Sequence, residues 1–163
     1  MKRTTKVWSK MLMLGVSAMV LAFGLAAVGC KDNSSPNAEA KSITITGLSA
    51  QNGKEAIVMV TSGSGYDAFV VAGEDVVANG VLTVALKNEN ETNWTGSGSY
   101  YVDVSFYVDG VNIGTYVYTN GKTLSALGIT DLWNQIVRLP KVAINSRSTT
   151  LAFGLFEEAP GDD

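Results

Sequence analysis

Between residues 42 and 156, apolar and polar side chains alternate with a period of two. Ile43 and Ile45 are set between Thr44 and Thr46, Leu82, Val84 and Leu86 around Thr83 and Ala85, and Leu151, Phe153 and Leu155 recur near the end. Successive side chains of a strand point to opposite faces of its sheet, so this period specifies half-buried antiparallel strands. The dipeptides Asn52-Gly53, Asn79-Gly80, Asp109-Gly110 and Asn120-Gly121 punctuate the same region, and each supplies residues that tolerate the positive φ of a tight turn. With the runs Glu55–Thr61, 68–72 and 142–145, about seven or eight short strands result. The pattern predicts an all-β, antiparallel β-sandwich, with a small β-barrel as the alternative. One stretch has helical spacing instead: Ile129, Leu132, Trp133 and Ile136, after Thr130 and Asp131 as caps and before Pro140. It predicts a single short helix across an end of the sandwich, with Trp133 plugging the core from the aliphatic face.

The clearest unit is 100–119, two alternating runs around Asp109-Gly110. A two-residue turn there sets Val108 opposite Val111, Phe106 opposite Ile113, Val104 opposite Thr115 and Val102 opposite Val117. One face is then apolar, and the other carries Tyr101, Asp103, Ser105, Tyr107, Tyr116 and Tyr118. On a solvated sheet these four tyrosines and one carboxylate are a candidate binding face, since rigid amphipathic rings stack on sugars or pack against proteins. Cross-strand aromatic pairs also stabilise hairpins without any ligand, which is the competing reading. A slip of one residue exchanges the faces and buries the rings.

Composition removes most familiar chemistry. The chain has no His and one Cys among 163 residues, which excludes Ser-His-Asp and Cys-His catalysis, an internal disulfide and a cysteine-rich metal site. Gly63-Ser64-Gly65 and Gly96-Ser97-Gly98 lack the third Gly of a dinucleotide fingerprint and the Gly-Lys-Ser/Thr ending of a P-loop, so both read as turns. The loop 88–93, with Asn88, Glu89, Asn90, Glu91 and Asn93, holds hard oxygen ligands without EF-hand spacing and reads as a solvated hairpin loop. Paired carboxylates are the remaining catalytic option. Asp103 among the tyrosines is the one acid to nominate, because Glu74 and Asp75 are adjacent and point apart on a strand. The expectation is a non-enzymatic domain with no cofactor and no metal.

Charge is uneven: Lys2, Arg3, Lys6 and Lys10 precede an uncharged apolar run at 11–28, and no acid occurs before Asp32. From Cys30 onward, eight basic residues face fifteen acidic ones, a balance that repels phosphate backbones and argues against nucleic-acid binding. A cationic start followed by an apolar run and small residues is the layout of an export signal; a retained membrane helix is the alternative. Ala27-Val28-Gly29-Cys30 resembles the lipobox of bacterial lipoproteins, although Ala27 stands where that family usually has Leu. The resemblance covers about the first thirty residues. It implies cleavage after Gly29 and a diacylglycerol thioether on Cys30, with acyl chains that each contribute about 0.8 kcal/mol per buried CH₂ to membrane anchoring. Lys31, where an inner-membrane retention Asp would stand, implies placement at the outer membrane.

The expected organisation is a lipoprotein signal peptide at 1–29, lipidated Cys30 and a flexible tether at 30–41, a β-sandwich at 42–156 and a disordered acidic tail at 157–163. The body is similar to small β-domain lipoproteins of spirochaete-type bacteria in Ser42-Ile43-Thr44-Ile45-Thr46-Gly47-Leu48 and in the segment from Trp94 to Tyr100, a resemblance that concerns fold and location alone. The expected function is a lipid-anchored envelope protein with a surface binding or adhesion module for a protein or glycan ligand. A periplasmic accessory subunit is the alternative, and a small carbohydrate-active enzyme comes third.

Overall fold

The computed structural model describes residues 39–63 and 69–161, which fall within the compact unit Pro36–Asp163. The apolar run, Cys30, most of the expected tether, and Ser64 and Gly65 of the first Gly-Ser-Gly lie outside the described residues. Among the described residues nine strands are present: β1 (Ser42–Thr46), β2 (Glu55–Thr61), β3 (Phe69–Val76), β4 (Val81–Ala85), β5 (Gly98–Val108), β6 (Val111–Tyr118), β7 (Val142–Ile144), β8 (Ser148–Ala152) and β9 (Phe156–Glu158). They form a smaller sheet, β4-β1-β8, and a larger one, β3-β2-β5-β6-β9, with β7 paired to the start of β5. Neither sheet closes on itself, so the fold is a β-sandwich and not a barrel.

The alternation accounts for the packing. On the smaller sheet Ile43, Ile45, Leu82, Val84 and Leu151 are buried, while Thr83, Ala85, Ser148 and Thr150 on the opposite face are exposed. The buried set joins Val58, Val60, Val71, Val102, Val104 and Phe106 of the larger sheet in one core. Each such aliphatic contributes about 1.5–3 kcal/mol by leaving water. Where β3 passes β4, the sheets come within backbone contact: Ala72 and Lys87 exchange N–H···O bonds of 2.9 and 3.1 Å. Gly73 permits this approach, because a Cβ there would stand 2.6 Å from the carbonyl oxygen of Ala85.

Four expectations need correction. β1 and β8 run parallel, so the sandwich is mixed; the chain re-enters the smaller sheet from the Ser42 end, where Ser42 N–H donates to the carbonyl of Arg147 at 2.9 Å. The 151–155 alternation is strand only to Ala152, and Phe153–Leu155 is a 3-10 turn that carries the chain from one sheet to the other. The acidic tail starts later than expected, because Phe156, Glu157 and Glu158 pair with Tyr118, Val117 and Tyr116 of β6, and Ala159 is buried. The expected helix is a series of turns ending in a 3-10 turn, Ile136–Arg138. Its apolar spacing still works: Ile129 and Leu132 are buried with Leu124, Leu139, Tyr101 and Val117, with Trp133 and Ile136 packed alongside. This segment covers the outer face of the larger sheet and not an end of the sandwich. Gln135 Oε1 accepts from Thr130 N–H at 2.7 Å and Asp131 N–H at 3.1 Å, which closes the chain into a turn at the place where a helix would begin.

Candidate binding surface

The hairpin of β5 and β6 decides the fate of the tyrosine face. Asp109 and Gly110 both have positive φ, 51° and 75°, and set Val108 opposite Val111 as expected. The register then changes, with Tyr107 opposite Asn112 but Phe106 opposite Gly114, so Ile113 is an extra residue without a ladder partner. Asn112 spans this bulge: its Oδ1 accepts from Gly114 N–H at 2.8 Å and its Nδ2 donates to Thr115 Oγ1 at 3.2 Å. Beyond the bulge Val104 faces Tyr116 and Asp103 faces Val117, one residue out of the expected register.

The candidate face is thereby divided. Tyr116 and Tyr118 turn to the core side, half-buried against the main core. There the Tyr116 ring meets Phe106 and Phe153 edge-on at 5.7 and 5.0 Å, and Tyr118 meets Phe156 at 5.6 Å. Burial, and secondly the Glu158 carboxylate, raise the Tyr116 phenol above its ordinary pKa. Tyr101 stays on the outer face but is only 7% exposed beneath the 119–139 segment, with Lys141 Nζ 4.8 Å from its ring centre. Asp103 and Tyr107 share that outer face, both partly exposed, and Asp103 lies between Met59 and Val117. The five residues do not form one solvated platform.

Other features singled out from sequence serve the fold. Ser97 of the second Gly-Ser-Gly accepts a 2.6 Å hydrogen bond from Lys41 Nζ. In the 88–93 loop, Asn88 Oδ1 accepts from the N–H groups of Asn90 and Thr92 at 3.0 and 3.2 Å, holding the turn. Among the described residues, no three His, Cys, Asp or Glu side chains gather as metal ligands. Trp133 lines a shallow cleft of about 270 Å³ with Thr130, Asp131, Leu132, Pro160 and Gly161, while the Asp131 carboxylate accepts from Asn134 within its own turn.

What sequence reasoning missed is the end of the sandwich opposite Ser42. Ser42 pairs with Ala85 and Ser148 at one end, and Thr46 with Val81 and Ala152 at the other. In the larger sheet Val76, Glu55, Tyr107 and Asn112 make the corresponding distal row. The 47–54, 77–80 and 109–110 connections all lie there, the first two interlocked by Leu48 N–H to Gly80 O and Gly53 N–H to Val77 O, at 2.8 and 2.9 Å. Val76, Val81, Val108, Val111 and Ile113, all exposed, sit at this distal end. The 108–113 run of aliphatics was the available signal, but alternation alone assigns it to the core.

The fold and this surface define an all-β sandwich domain with an apolar distal tip. No family model, curated protein or solved structure matches the chain.

Proposed function

We propose that the chain is a lipid-anchored cell-envelope lipoprotein: exported by its first 29 residues, held at the outer membrane through acylated Cys30, and carrying a β-sandwich that binds a macromolecular ligand without catalysing a reaction. The observation that supports this best is polarity within the sandwich. The chain enters at Lys41 and Ser42, while the exposed aliphatics lie at and beyond the Thr46 end of β1, a strand of 5 residues that spans about 15 Å. A domain tethered through residues 30–41 would thus be attached at the end of the sandwich opposite its apolar tip.

The test is acylation and partitioning in a bacterial host. Wild-type protein is expected to take up labelled palmitate, to enter the detergent phase and to begin at Cys30 by mass spectrometry. Cys30→Ser should lose the label and the partitioning. A wild-type chain that matures without acyl groups on Cys30 overturns the anchored reading. Protease treatment of intact cells then tells a surface module from a periplasmic subunit.

A further inference from the structure

The hairpin tip concentrates apolar surface where a soluble edge would normally carry charge. Val108 is 44% exposed, Val111 63% and Ile113 45%, on either side of the Asp109-Gly110 turn. Scattered exposed aliphatics are ordinary, but three within six residues on a projecting hairpin are not scattered. Val76 and Val81 expose further aliphatic surface at the same end. The rim is net acidic: Glu55, Glu74, Asp75 and Asp109 are all exposed there. Lys54 also lies there; it donates to the neutral Gln51 Oε1 at 2.6 Å and keeps its charge, so the four acids outnumber it.

We propose that this distal tip docks a protein surface in which aliphatic side chains are interleaved with Lys or Arg. The apolar centre supplies burial, and the acidic rim supplies complementarity and orientation, the division of labour usual at protein interfaces. The same acids repel anionic lipid headgroups and a second acidic copy of this chain, so a basic protein partner is the occupant that the charges select. The inference rests on the reading of the domain as a binding module and names the chemistry of its partner.

The test uses the full-length lipidated chain in phosphatidylcholine nanodiscs, with two fluorescent peptides of equal length as probes, one alternating Val with Lys and one alternating Val with Glu. Empty nanodiscs give the background. The Val–Lys peptide is expected to bind and the Val–Glu peptide not to. Val111→Thr with Ile113→Thr, which keeps β-branching and hence the hairpin, should weaken binding on the order of tenfold. Glu55→Gln with Asp109→Asn should weaken it less and flatten its salt dependence. Val137→Thr, altering a 60% exposed valine in the 119–139 segment, should change nothing. Equal binding of both peptides, equal loss in Val137→Thr, or no loss in the tip variant overturns the proposal. So does tip-dependent binding to vesicles containing phosphatidylglycerol in place of the peptide, or tip-dependent dimerisation. Because acylation of Cys30 is read separately by mass, failure at the tip with an intact anchor sinks this inference alone, and a missing anchor leaves tip binding measurable.

Discussion

The ammonium of Lys41 donates to the carbonyl oxygen of Ile144 at 3.2 Å, tying the first residue before β1 to the end of β7. The same group donates to Asn145 O at 3.1 Å and to Ser97 Oγ at 2.6 Å, and lies 6.0 Å from the centre of the Trp94 ring. Lys41 is 8% exposed. The last residue of the expected tether is thus part of the body, closing three segments around one cation. Lys41→Met keeps the stem and removes the donors, leaving these acceptors short of a partner. The expected loss is about 1–3 kcal/mol in urea unfolding. Lys122→Met, at an exposed lysine, should stay within about 0.5 kcal/mol of wild type.

Gly73 and Gly110 should respond to substitution for different reasons. A Cβ at Gly73 meets Ala85 O at 2.6 Å and Val84 Cβ at 2.8 Å, so Gly73→Ala forces the two sheets apart and costs about 1–3 kcal/mol. Gly110 has open space around it but φ of +75°, so Gly110→Ala costs about 1 kcal/mol through backbone conformation alone. Asn tolerates that conformation. Gly110→Asn should therefore recover much of the loss in thermal melts, and Gly73→Asn none.

The two-sheet architecture is readable because burial enforces the alternation: Ile43 and Ile45 cannot face water without emptying the core. The bulge is not readable, because one unpaired residue, Ile113, reverses the faces of everything after it on β6 while leaving the local pattern unchanged. Tyr116 and Tyr118 obey the same period on either face. β9 was hidden for another reason, since Glu157 and Glu158 read as solvated tail. The Glu157 carboxylate in fact accepts from Leu124 N–H, and ladder bonds to β6 hold the strand in place. The apolar tip was missed because alternation states which side of a strand is apolar, not whether the opposing sheet extends far enough to cover it.

Deleting Ile113 tests the register directly. With it gone Asn112 leads straight into Gly114, so the remaining pairs keep their register, Phe106 opposite Gly114 and Val104 opposite Tyr116, and Tyr116 and Tyr118 stay on the core side. Their contacts with Phe106, Phe153 and Phe156 should therefore survive, so the variant is expected to keep the near-ultraviolet circular dichroism of the wild type and to lose no more than about 1 kcal/mol. A deletion variant that loses that signal would mean that the bulge itself, and not the pairing beyond it, holds the rings against the core.

Tyr116 makes the alkaline limit of stability partly its own. Its phenol is held neutral by burial first and by the Glu158 carboxylate second, so its folded pKa lies above the value in the unfolded chain, about 10. Between the two values the unfolded state has released a proton that the folded state keeps. This contribution is complete below about pH 10 and is lost as pH rises through the folded value. The part of the tyrosinate absorbance titration that disappears in Tyr116→Phe should therefore lie above pH 10 in the wild type. In Glu158→Gln it should move down only part of the way, because burial is the larger cause. A complete return to the ordinary value in that variant would make the carboxylate, rather than the packing of β6 against Phe153 and Phe106, the dominant influence on this ring.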